Sequence, residues 1–155
     1  MTDRDLPVDR ANRIADAVED IERNVVRLRS YQELTRDAYR SPGEHERRDA
    51  TERKFVKLTE ATLDIASEVC KQERGRVPER RKAQIDVLET EGIVDGDLAD
   101  RLRSAVGFRD VLAHTYGPVV NDDLVYDALQ NSLERYVEFV EAIDQYLDRY
   151  LDEES

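Results

Sequence analysis

The chain is 155 residues long with 24 basic and 36 acidic residues, a formal net charge of −12, which is enough for one full hydrophobic core and too little to expect two. All but four of the bases (Lys54, Lys57, Lys71 and Lys82) are arginine, and this acidic, lysine-poor balance suits high salt, where charge is screened over about 3 Å at 1 M, so a halophilic source is expected. It argues against nonspecific duplex binding and against anionic lipid; no apolar run approaches the roughly 18 residues of a membrane span and the start of the chain has no signal-peptide core, so a cytoplasmic protein with no membrane attachment is expected.

Residues 9–40 carry Ile14, Val18, Ile21, Val25 and Leu28 at spacings of four and three, which predicts one long amphipathic helix entered after Pro7 and left before Ser41-Pro42-Gly43. Phe55, Leu58, Thr62, Ile65 and Val69 repeat the pattern over 45–73, closed by Gly75 and Pro78. A short helix over 79–91 holds Ile85 and Leu88 and ends at Gly92. The fourth begins near Asp97 and is apolar almost all round, with Val106, Phe108 and Val111 opposite the stripe of Leu98, Leu102, Ala105 and Leu112, so it is expected to be the most buried. Gly117-Pro118 stops it. A fifth helix over 122–150 runs through Leu129, Leu133, Tyr136, Val140, Ile143, Leu147 and Tyr150. Nothing alternates with period two. The expected fold is an all-α, up-and-down bundle of four long helices plus one short helix, a single domain over 1–155 with residues 1–8 flexible.

One cysteine allows no intramolecular disulfide and no cysteine-based metal site; Cys70 continues an apolar series and reads as core. Charge is uneven along the chain. Residues 119–155 hold 11 acids and two bases, whereas Arg74, Arg76, Arg80, Arg81 and Lys82 gather with one acid between residues 74 and 82. That basic segment could contact RNA phosphates, or its arginines could complement helix carbonyls.

The chemistry concentrates in Arg109-Asp110-Val111-Leu112-Ala113-His114-Thr115-Tyr116, which holds one of only two histidines. Arg109 falls on the apolar stripe, where a guanidinium must be paired, lie at an oligomer seam, or meet an anionic ligand. Metal-free RNA cleavage needs a base for the 2′-hydroxyl, a cation for the phosphorane and an acid for the leaving oxygen. Histidine titrates in the right range and arginine forks onto phosphate oxygens, while Tyr116 could orient the phosphate or donate a proton. On an ideal helix Arg109 and Tyr116 project about 20° apart but Arg109 and His114 about 140°, so the helix is expected to loosen near His114. A two-fold seam could bring both copies of the motif into one cleft. Asp110 could orient either neighbour, or be an ordinary solvated residue. His45 reads as surface.

The segment from Glu52 to Leu147 resembles the HepT-like members of the HEPN superfamily, whose signature Arg-x4-His-x-Tyr is matched by Arg109, His114 and Tyr116. Ala61-Thr62-Leu63-Asp64-Ile65-Ala66-Ser67-Glu68, Glu91-Gly92-Ile93-Val94 and Gly107-Phe108-Arg109-Asp110 resemble the family too. The resemblance implies a HEPN helical bundle, a homodimer with motif clefts at or near its interface, and a toxin that cleaves RNA without a metal or other cofactor. It further implies a partner, a small MNT-type nucleotidyltransferase antitoxin that transfers AMP from ATP to Tyr116, placing phosphate charge where the substrate phosphate would bind. Asp110 departs from the asparagine frequent after the family's arginine. A competing reading is a noncatalytic nucleotide- or partner-binding subunit whose acidic C-terminal helix forms the interface.

Overall fold

In a computed structural model, residues 5–113 and 118–154 are described, and within them every regular element is helical. α1 (Val8–Arg29) starts directly after Pro7 and buries Ile14, Ala17, Val18, Ile21, Val25 and Leu28 on one face, with Asp9 in its first turn and Arg27 and Arg29 in its last, each complementing the dipole end it occupies. The expected continuation to residue 40 does not occur. The chain turns through Ser30–Thr35, where the amides of Tyr31, Gln32 and Leu34 bond three residues back, and restarts as α2 (Arg36–Arg40), capped by Thr35 Oγ1 accepting from the Ala38 amide at 3.1 Å. The corner is held from outside: Gln32 Nε2 donates to the Leu129 carbonyl, Gln130 Nε2 to that of Gln32 and Tyr126 Oη to that of Leu34.

A single 3-10 turn, Pro42–Glu44, leads into α3 (His45–Arg74). Gly75, at φ 73°, ends α3, its amide donating to the Lys71 carbonyl. This left-handed conformation carries no Cβ penalty in glycine. α4 (Arg81–Thr90) ends likewise at Gly92. Asp95 then caps α5 (Gly96–Ala113), its Oδ1 accepting from the Leu98 amide at 2.8 Å.

The helix expected over 122–150 is two helices, α6 (Pro118–Asn131) and α7 (Glu134–Glu154), parted at Ser132-Leu133. The apolar spacing Leu129, Leu133, Tyr136 runs straight across the break, and all three are buried. Flexibility over residues 1–8 was expected; residues 1–4 lie outside the described residues, whereas the Asp5 carbonyl accepts from Gln72 Nε2 and α1 already starts at Val8.

The four long helices form a closed ring in which α1 packs on α3, α3 on α5, α5 on α7 and α7 back on α1. α4 covers the α3–α5 seam, and α2 and α6 pack on each other. The centre belongs to α3 rather than to α5. Residues of α3 from Thr51 to Gln72 are buried on a wide face, because neighbours flank it on several sides. α5 is buried through Leu98, Ala99, Leu102, Ala105 and Val106 and only half-buried from Gly107 to Leu112. Phe55, Phe139 and Tyr136 are fully enclosed, each aromatic contributing about 1.5–3 kcal/mol or more by burial. Cys70 is fully buried as core, and burial pushes its thiol up. No helix among the described residues is long and apolar enough to cross a membrane.

Candidate active site

The stripe that positions Arg109 is present: Leu98, Leu102 and Ala105 are buried on α5, and Arg109, one turn on, is half-buried with 23% of its side chain exposed. Its partners are loose. Nη2 stands 3.7 Å from Glu60 Oε1 on α3 and Nη1 stands 3.6 Å from Asp110 Oδ1, both longer than a charge-assisted hydrogen bond of about 2.7–2.9 Å. Nε is buried and has no hydrogen-bond partner among the described residues. The guanidinium is thus desolvated on one side while neither carboxylate holds it in a fork.

Asp110 is half-exposed and also accepts from Arg81 Nη1 at 3.2 Å. α4 therefore presents its basic start to the motif helix. Lys82 lies close by, since a Cβ built on Gly107 would stand 3.8 Å from Lys82 Nζ. The five bases of the 74–82 segment separate accordingly. Arg81 and Lys82 border the motif helix, whereas Arg74 is tied to Glu91 by Nε and Nη2 at 3.0 and 2.8 Å, at the far end of α4. Arg76 and Arg80 are exposed on the connection between α3 and α4.

Phe108, beside Arg109, packs its ring edge-on against Phe55 of α3 with centroids 5.5 Å apart, which fixes the azimuth of the last turns of α5. His114 and Tyr116 were expected to complete the constellation; both lie outside the described residues. α5 is described as far as Ala113 and α6 from Pro118. Beyond it, Asp122 stands 3.6 Å from Arg48, and burial raises the carboxyls of both Asp122 and Glu52, with their mutual repulsion adding to the Glu52 shift. His45, as expected, is exposed, 3.8 Å from Asp49.

Glu60 escaped the sequence reading, since a lone acid on a long helix looks like solvated surface. Arg135, a lone base near the start of α7, escaped it too. Among the described residues no group of three or more His, Cys, Asp or Glu side chains is arranged to hold a metal ion.

Residues 21–143 match the family described as ribonuclease HepT-like. An mRNA nuclease HepT from Shewanella oneidensis is 29% identical over 84 residues, which are 54% of this chain and 62% of that protein, so the chain matches under two thirds of that relative's length. The crystal structure of a MntA–HpeT toxin–antitoxin mutant superposes with a TM-score of 0.75 at 22% identity, covering 86% of this chain and 98% of the other. A tri-AMPylated Shewanella oneidensis HEPN toxin in complex with an MNT antitoxin superposes with a TM-score of 0.74 at 21% identity, covering 94% of this chain and 99% of that one. At these identities the structural likeness shows the shared helical bundle. The family match extends over most of the sequence and includes α3, α5 and the Arg109 motif, and the protein belongs to the ribonuclease HepT-like family.

Proposed function

We propose that the protein is a metal-independent ribonuclease toxin, silenced when an MNT-type nucleotidyltransferase antitoxin transfers AMP from ATP to Tyr116 with release of pyrophosphate. The observation that carries this reading is Arg109: a half-buried guanidinium whose Nε has no partner among the described residues and which makes two stretched carboxylate contacts, five residues before His114 and seven before Tyr116 in the chain. Such a cation can exchange weak ion pairs for a bidentate phosphate. In this mechanism the 2′-oxygen forms a bond to phosphorus and gives up its proton to a base. The bond from phosphorus to the 5′-oxygen breaks, and that oxygen takes a proton from an acid. Arg109 stabilises the charge that builds on the phosphorane oxygens, His114 serves as acid or base, and Tyr116 orients the phosphate.

Arg81 and Lys82, bordering the motif helix, would guide the RNA backbone, with Arg76 and Arg80 further out; Arg74 is engaged by Glu91. A homodimer would join two motifs in one cleft. Asp110 would bridge Arg109 and Arg81 and partly neutralise them when no substrate is bound. The names of the relatives support a nuclease and a nucleotidyltransferase partner, and the acidic, arginine-rich composition supports work in the cytoplasm of a high-salt organism.

The test is incubation of the purified protein with end-labelled RNA at high salt in the presence of EDTA. Wild type is expected to cleave, and folded His114→Ala and Arg109→Ala are not. Incubation with the nucleotidyltransferase and ATP is expected to add AMP to Tyr116, read by peptide mass, and to abolish cleavage. RNA left intact by unmodified wild-type protein would overturn the proposal.

A further inference from the structure

α5, α6 and α7 leave a groove of about 310 Å³ between them, lined among others by Ser104, Phe108, Leu124, Asn131, Ser132 and Arg135. That volume sits at the lower end of the roughly 300–1,000 Å³ of small-molecule clefts, room for one nucleotide unit. Phe108, which lines it, is the residue before Arg109 on α5, although Arg109 itself is not among the lining residues.

Arg135 is the unusual group here. Its Nη1 donates to the Arg101 carbonyl at 2.9 Å, while its Nε is buried with no hydrogen-bond partner. Among the described residues no carboxylate pairs with it, although Arg101 and Arg103 on the neighbouring helix each collect two or more. Burial works against its charge, and Arg101 adds repulsion. The acid that lines the same groove, Asp127, is engaged by Arg36. A half-buried guanidinium without a counter-ion, in a chain with carboxylates to spare, is set up for an anion from outside. The groove also supplies an aromatic surface and small hydrogen-bonding side chains, the combination that takes a phosphate and its base together.

The geometry points to this groove as a second RNA subsite, in which Arg135 takes the phosphate of a nucleotide flanking the cleaved linkage and Phe108 stacks against its base. Ser104, Asn131 and Ser132 supply hydrogen bonds. The inference rests on the ribonuclease reading above and adds to it a determinant of how much RNA beyond the cleaved bond is held.

Fluorescence anisotropy tests it, with a short 5′-fluorescein-labelled single-stranded RNA titrated onto the full chain carrying His114→Ala so that the probe survives. Adding Arg135→Gln is expected to weaken binding about tenfold and to reduce the slope of log K against log salt by about 0.7, the value of one single-strand phosphate contact. Arg135→Lys is expected to restore the slope. Ser104→Glu, on an exposed position of the rim, covers the case in which Arg135→Gln fails to fold by circular dichroism; it too is expected to weaken binding. Unchanged affinity and slope in folded Arg135→Gln and Ser104→Glu would overturn the subsite. So would an altered oligomeric state on gel filtration with RNA affinity intact, which would assign the missing anion to a second copy. If the His114→Ala protein itself binds no RNA, the ribonuclease reading fails first and the subsite with it.

Discussion

Arg109 Nη2 faces Glu60 Oε1 across the α5–α3 seam at 3.7 Å, close enough for attraction and too far for a hydrogen bond. The carboxylate is more than half exposed, so the pair contributes little to stability, about 0–1 kcal/mol. Its larger effect is on the phosphate that would replace it. For the proposed RNA substrate, Glu60→Gln is expected to lower KM by about two- to threefold, with the melting temperature nearly unchanged. A raised KM in steady-state kinetics would instead make Glu60 an orienting group for the guanidinium.

Asp110 contacts Arg109 at 3.6 Å and Arg81 at 3.2 Å, putting one negative charge between two cations that the proposed mechanism assigns to RNA. Asp110→Asn is expected to tighten RNA binding a few-fold at low salt. The gain should fade towards 1 M salt, where the screening length falls to about 3 Å. Binding isotherms at several salt concentrations check both parts, and a loss of affinity at every salt would show that Asp110 positions the arginines rather than masking them.

The bundle was legible because α1, α3, α5 and α7 each present a stripe of threes and fours, and the glycines at 75 and 92 stop helices with a conformation the sequence signals directly. The two breaks were not. At Ser30–Thr35 and at Ser132-Leu133 the apolar spacing continues through residues such as Leu34 and Leu133, with neither glycine nor proline to interrupt it. What ends those helices is tertiary: side chains of Gln32, Tyr126 and Gln130 bind backbone carbonyls between the two corners. Thr35, followed by Asp37, was the one local sign of a new helix start. In the site, Arg109 stood out because a charge on an apolar stripe violates the pattern, whereas Glu60 and Arg135 obey local rules and gain significance only from what lies across the helix seams.

Phe55 is almost fully buried and meets Phe108 edge to face, so it links core packing to the turn that carries Arg109. Phe55→Ala is expected to destabilise the protein by about 3–5 kcal/mol and lower the melting temperature by roughly 10 °C. The proposed nuclease activity should also fall at temperatures where the variant is still folded, because Phe108 loses the ring that sets its azimuth. A melting shift of only a degree or two would show that neighbouring side chains refill the site.

Glu68 of α3 lies under three cations: Arg10 Nε at 3.2 Å, Arg13 Nε at 3.1 Å and Lys71 at 3.6 Å. Burial alone would raise its carboxyl, but the hydrogen bonds from Arg13, the charge of Lys71 and the bond from Arg10 outweigh burial and hold it below the usual range. A carboxyl lowered by folding stabilises the native state above its unfolded pKa, about 4.3, and the contribution drains away as pH falls through the lower folded value. Glu68→Gln is therefore expected to cost about 1–2 kcal/mol near neutral pH, and the gap from wild type should close in acid. Asp64, one turn away, runs the opposite way, because burial and the nearby acids Glu60, Glu68 and Asp20 raise it. Its contribution falls as pH rises, so the wild-type profile alone would blend the two. Thermal melts of wild type and Glu68→Gln at matched pH separate them, and a gap that stays constant down to strong acid would mean that packing rather than charge holds α1 to α3 at this point.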